Sequence, residues 1–173
     1  MEKNVTLIYE SVQKLVGFHR QLLDVVRQER EALVNADLKS LQETTSAKEQ
    51  IIEAIRVQET KRLKATSELT LDWKRPFKDL TLTNIIIAIQ GDDPKGAEAL
   101  RSTYNALTIL IQRTVDQNKT NRDLVERSLE HVHNMKKNVL GETVPRSNTY
   151  SQQGQRVNVS GAQRGSRLIS KEA

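Results

Sequence analysis

Apolar residues recur every three or four positions through most of this 173-residue chain, and the breaks in that rhythm divide it into elements. Val5, Ile8, Val12, Leu15, Phe18, Leu22 and Val26 keep to one helical face, with Leu33 one heptad further on, which predicts a first long helix over about 3–35. Gly17 inside it costs about 1 kcal/mol relative to alanine, which such a stripe outweighs. Near its end Arg27-Gln28-Glu29-Arg30-Glu31 replaces the apolar residues, so the seam is expected to become wet there, and Arg27 and Glu31 are spaced to pair on the surface. Asn35-Ala36-Asp37 is a short turn whose aspartate can cap a second helix. A stripe of Leu38, Leu41, Thr45, Lys48, Ile52 and Ile55 follows, and so short a connection predicts an antiparallel hairpin. Beyond Ile55 the stripe thins to Val57, Leu63 and Leu69, so the end of this helix is expected to be the least firmly held.

Pro76 breaks the pattern within Trp73-Lys74-Arg75-Pro76-Phe77. Thr81 or Thr83 then caps a short helix through Ile85, Ile86, Ile87 and Ile89, closed at Gly91. Four isoleucines also suit a strand, but no partner strand exists elsewhere in the chain. Asp93-Pro94 is a strong helix start. From there Leu100, Tyr104, Leu107, Ile111, Thr114, Asn118, Asn121, Val125, Leu129, Val132, Met135 and Val139 keep a three-four spacing to Gly141. This helix exceeds forty residues, or roughly 65 Å at 1.5 Å per residue. The first helix is too short to cover it, so one end must protrude, bend or find another partner. After Gly141 the chain turns to Ser, Gln, Asn, Gly and Arg without periodicity and is expected to be disordered alone. The prediction is an all-α protein: an antiparallel helical hairpin or bundle with a long C-terminal helix over 1–140, and a tail over 141–173.

Composition supports helices that bury one stripe each, because only 36% of residues are hydrophobic and 3% aromatic. The absence of cysteine excludes disulfides and cysteine-based zinc sites and fits a reducing cytosol. Met1 to Thr6 lacks the layout of a signal peptide, and the longest apolar run, Ile85 to Ile89, is far below the ~20 residues that span a bilayer. A cytoplasmic protein is expected, in which the sequons at Asn4, Asn118 and Asn158 carry no meaning. The net charge of +5 divides into +3 for the tail and +2 for the body. Sparse tail charges read as a solvated terminus, and the interspersed body charges as solvated helix faces.

No constellation for catalysis or metal binding emerges, and no cofactor is expected. Glu130 and His133 form half of a di-iron signature, but the required second pair is missing, because Ser128 and Val16 stand three residues before His131 and His19. Asp116-x-Asn118-x-Thr120 opens like a calcium loop, yet its sixth and twelfth positions are Asn121 and Arg127 rather than glycine and glutamate. Gly91 to Gly96 lacks the ending of a phosphate-binding loop. Thr114, Asn118 and Asn121 interrupt the last apolar stripe. Amides there either fix the register of paired helices or bond a partner, and both roles stay open.

Three segments together resemble the flagellar export chaperone FlgN family. They are the hairpin from Glu29-Arg30-Glu31-Ala32-Leu33 through Ala36-Asp37-Leu38 to Lys48-Glu49; the paired-asparagine segment Asn118-Lys119-Thr120-Asn121-Arg122-Asp123-Leu124; and Thr149-Tyr150 with Gly154 in the tail. Their order and spacing cover most of residues 3–155. The chain departs from the pattern in its basic charge and in the Arg-rich stretch after Arg156.

The resemblance implies a bacterial cytoplasmic chaperone that binds the helical C-terminal segments of the hook–filament junction proteins and delivers them to the flagellar type III export gate and its ATPase complex. It implies client contacts at Asn118, Asn121, Leu124, Val125, Leu129, Val132, Met135 and Val139, and gate docking through Tyr150 and Gly154. The residues themselves fit a helix-in-groove binder, with Met135 able to adapt to more than one client. Two other readings remain: a coiled-coil adaptor that self-associates through its long helices, and a regulator that binds nucleic acid through its basic tail.

Overall fold

A computed structural model describes residues 3–140, with side chains to Val139. They form α1 (Lys3–Val34), α2 (Leu38–Trp73), a short 3-10 turn (Phe77–Asp79), α3 (Leu82–Ile89) and α4 (Pro94–Leu140), with no strand among the described residues. The chain divides into two compact units, Met1–Leu129 and Glu130–Ala173. The expected tail over 141–173 lies outside the described residues.

In the first unit α1 and α2 form the expected hairpin. Asp37 caps α2, its Oδ1 accepting from the Lys39 and Ser40 amides at 3.1 Å each and its Oδ2 from the Ser40 hydroxyl at 2.6 Å. Those bonds, the hydroxyl's first, hold its carboxyl below the usual aspartate pKa. Ala36 turns the chain at φ 53°, a left-handed conformation that costs alanine about 1 kcal/mol. Lys74 ends α2 in the same conformation just before Pro76. Thr81 is the cap of α3, its hydroxyl accepting from the Asn84 amide at 3.2 Å. Asp93 opens α4 by accepting from the Gly96 amide at 2.8 Å.

The core lies where α3 meets the open end of the hairpin. Val5, Ile8, Val12 and Leu15 of α1, Ala65 and Leu69 of α2, Ile85, Ile86 and Ile89 of α3, and Ala97, Leu100 and Leu107 of α4 form one buried cluster, with Leu80 beneath the 3-10 turn. Trp73 and Tyr104 pack against its edge. This reverses the expectation for α2, whose final turns are among its best-held parts. Small residues such as Ala65 and Thr66 continue the stripe there and are buried, Ala65 in the same cluster as the α3 isoleucines.

The registers of two stripes also differ from expectation. On α2 the inward positions are Leu41, Thr44, Lys48, Ile51, Ile55 and Gln58, while Leu38, Thr45 and Ile52 are exposed. On α4 they are Leu100, Leu107, Leu110, Thr114, Gln117, Asn121 and Leu124, while Ile111, Asn118 and Val125 are exposed. Both helices keep a heptad rhythm, displaced by one residue from the apolar reading at several steps. Arg27 reaches Asp24 at 3.4 Å, in place of the expected partner Glu31.

Candidate functional site

Away from the apolar cluster, the first unit is joined by polar groups. Glu29 of α1 and Lys48 of α2 face each other across the hairpin, and the lysine Nζ donates to both carboxylate oxygens at 2.9 and 3.0 Å. Asn121 of α4 adds a third helix to this layer. Its Nδ2 donates to Glu29 Oε2 and to the Val26 carbonyl, both at 2.9 Å, and its Oδ1 accepts from Gln117 Nε2 at 3.1 Å. Asn121 is 4% exposed, and Thr114 one heptad earlier is also buried. A satisfied amide at such a depth fits α4 to a single axial position, since a slip of one turn would strand it without partners. The expected wetting of the α1 seam at Glu29 is therefore a hydrogen-bonded layer.

Asn118, three residues away in the same paired-asparagine segment, is exposed. Leu124 is half-buried, and Val125 and Leu129 of the first unit are exposed. In the second unit Val132, Met135 and Val139 are 61%, 53% and 81% exposed. Every described side chain from Val125 to Val139 is exposed, so this stretch of α4 presents its apolar positions to solvent. Tyr150 and Gly154 lie outside the described residues.

One buried group went unnoticed in the sequence. His19 lies half-buried on α1, its Nδ1 enclosed without a hydrogen-bond partner among the described residues. Burial lowers its pKa below the ordinary value, and the charge of Glu59 on α2 opposes that shift. Only its heptad position, seven residues after Val12 and seven before Val26, marks it in the sequence as inward-facing.

The clefts are open troughs. One is lined by Arg62, Leu63, Phe77, Lys78, Leu82 and Tyr104. Among the described residues no three His, Cys, Asp or Glu side chains gather closely enough to hold a metal ion, and no helix is long and apolar enough to cross a membrane. The exposed apolar residues of the long α4 offer a surface for another helix.

The FlgN protein family model matches residues 1–158, which spans every helix described above. The chain belongs to the FlgN family. This is a family of flagellar export chaperones, and the described residues of this member form a helical bundle. No curated protein and no solved structure matches the chain. The FlgN match extends past Leu140 into the segment holding Tyr150 and Gly154.

Proposed function

We propose that this protein is a cytoplasmic chaperone for the hook–filament junction proteins, binding their helical C-terminal segments and delivering them to the flagellar type III export gate. The observation that carries the reading is the row of solvent-facing apolar residues on α4 in a chain of the FlgN family. Val125 and Leu129 in the first unit, and Val132, Met135 and Val139 in the second, are the positions assigned to the client. Covering such side chains releases about 25 cal/mol per Å² of apolar area, enough to hold a client helix reversibly once the cost of ordering it is subtracted. Asn118 and Leu124 border this row and are assigned to its edge. Asn121 is already bonded inside the bundle, and we assign it to positioning α4 beneath the client.

Tyr150 and Gly154 are assigned to gate docking, a role separate from client holding. A tyrosine brings large contact area and one hydroxyl with few rotatable bonds, which suits a single-residue anchor. Hand-over then needs no nucleotide chemistry in the chaperone. The test is co-elution of the purified chain with a recombinant C-terminal fragment of a junction protein from the same bacterium. A heterocomplex is expected. A chain that elutes alone in the presence of every such fragment, or only as its own oligomer, would favour the coiled-coil adaptor.

A further inference from the structure

Within the first unit α4 carries a second heptad seam beside its packed one. Ile111, Val115, Asn118, Arg122, Val125 and Leu129 follow one another at alternating steps of four and three residues, and all six are exposed. At 1.5 Å per residue they span roughly 27 Å, about five turns, and such spacing accepts a partner helix by knobs-into-holes packing.

Arg122 stands in the middle of this seam. It makes no hydrogen bond or ion pair with any described residue. Glu126 lies one turn later, but an arginine preceding a glutamate is the weaker order of such a pair. A guanidinium that a helix covers loses water, or must bend its head group out to the rim to keep it, so a helix that brings a carboxylate to this position is favoured over one that does not. A second copy of this chain cannot supply one from the same seam. None of the six positions is acidic, and pairing the seam with itself, parallel or antiparallel and in any register, leaves Arg122 facing arginine, asparagine or an aliphatic side chain.

We propose that this seam receives an amphipathic helix of a different protein bearing an acidic residue at one of its own seam positions, and that Arg122 selects and registers that helix. The proposal rests on the export-chaperone reading and narrows its client. A cation set between Asn118 and Val125 on an otherwise aliphatic seam penalises an all-apolar or basic helix more than it rewards the right one, which is how a single buried polar residue confers specificity. It also discourages self-pairing of an exposed apolar face, a hazard for a protein that must stay available to clients.

The test uses three fluorescently labelled four-heptad peptides, identical except for Glu, Lys or Leu at one central seam position, titrated with the full chain. The Glu peptide is expected to bind at least tenfold more tightly than the Lys peptide. Arg122→Glu should invert that order, and Arg122→Leu should abolish it while favouring the Leu peptide. Circular dichroism should be unchanged in both variants, since Arg122 is exposed. Equal binding of all three peptides, or a Glu preference that survives Arg122→Glu, overturns the role of Arg122 and leaves the α4 surface as a helix binder. Binding of none of them overturns the helix-binding surface as well. Sedimentation of the free chain as a dimer that Val125→Asp dissociates would give the seam to a second copy and overturn the proposal.

Discussion

Asn118 and Asn121 are three residues apart on α4, and alanine at each should have opposite consequences. Asn121→Ala removes the bond to the Val26 carbonyl, about 1 kcal/mol, and the bond to the Glu29 carboxylate, about 2 kcal/mol because its acceptor is charged, while the half-buried Gln117 amide exchanges its bond to Asn121 for water at little net cost. Alanine's higher helix propensity returns about 0.5 kcal/mol, and relief from burying an amide returns a similar amount. Glu29 keeps Lys48, so no charge is left unpaired. The net loss is about 2 kcal/mol, which at roughly 3 °C per kcal/mol lowers Tm by about 6 °C. Asn118→Ala breaks no side-chain hydrogen bond to a described residue on its exposed face and should be neutral or stabilising by a few tenths of a kcal/mol. Urea unfolding followed by circular dichroism measures both, and the midpoints should separate while the slopes stay equal. Midpoints for the two variants that agree within the equivalent of 0.5 kcal/mol would refute the assignment of Asn121 to the polar layer.

Val132→Asp should weaken binding of a junction-protein fragment, by placing a carboxylate in an apolar contact, and leave the far-ultraviolet spectrum intact because the residue is 61% exposed. Global unfolding of that variant would make the position core. Tyr150→Ala should preserve folding and client binding while costing about 2 kcal/mol of affinity for the purified gate domain, read by calorimetry on the client-loaded complex; unchanged affinity would remove the docking role. His19 has its folded pKa lowered by burial, so the unfolded chain takes up the proton first, at its ordinary value of 6.5. Stability should therefore be full above that pH and fall as the pH drops through it, and His19→Leu should flatten the decline in urea midpoint between pH 7.5 and 5.5, both of them chosen to lie about a unit either side of that value. Ala36→Gly should raise stability by about 0.5–1 kcal/mol in the same assay, because glycine adopts φ 53° without a steric penalty.

The helices and their limits were legible in the sequence because each has a chemical stop. Asp37, Thr81 and Asp93 carry capping oxygens, and Pro76 removes a donor. The choice of inward face was less legible. Ile111 and Val125 draw the eye to the flanking seam of α4, while the packed face at that level is made of Gln117 and Asn121, and the burial of Asn121 depends on partners on α1. The same happened on α2, where Ile51 and Ile52 are equally apolar and only one can face in. Small residues misled in the other direction, since Ala65 and Thr66 are buried, Ala65 in one cluster with the α3 isoleucines, yet carry little hydrophobic signal. The helix continues through Leu129 to Val139 as its spacing predicted, and the apolar side chains there are exposed. Tyr150 and Gly154 were picked out through the family resemblance, and the match to residues 1–158 covers both.

Amide hydrogen exchange on the full chain, with and without a junction-protein C-terminal fragment, tests the central claim most directly. Client binding through the exposed apolar row of α4 should slow exchange across residues 124–139 and leave the α1–α2 hairpin near its free rate. A stable complex in which protection falls on the hairpin and α4 exchanges as in the free protein would contradict it.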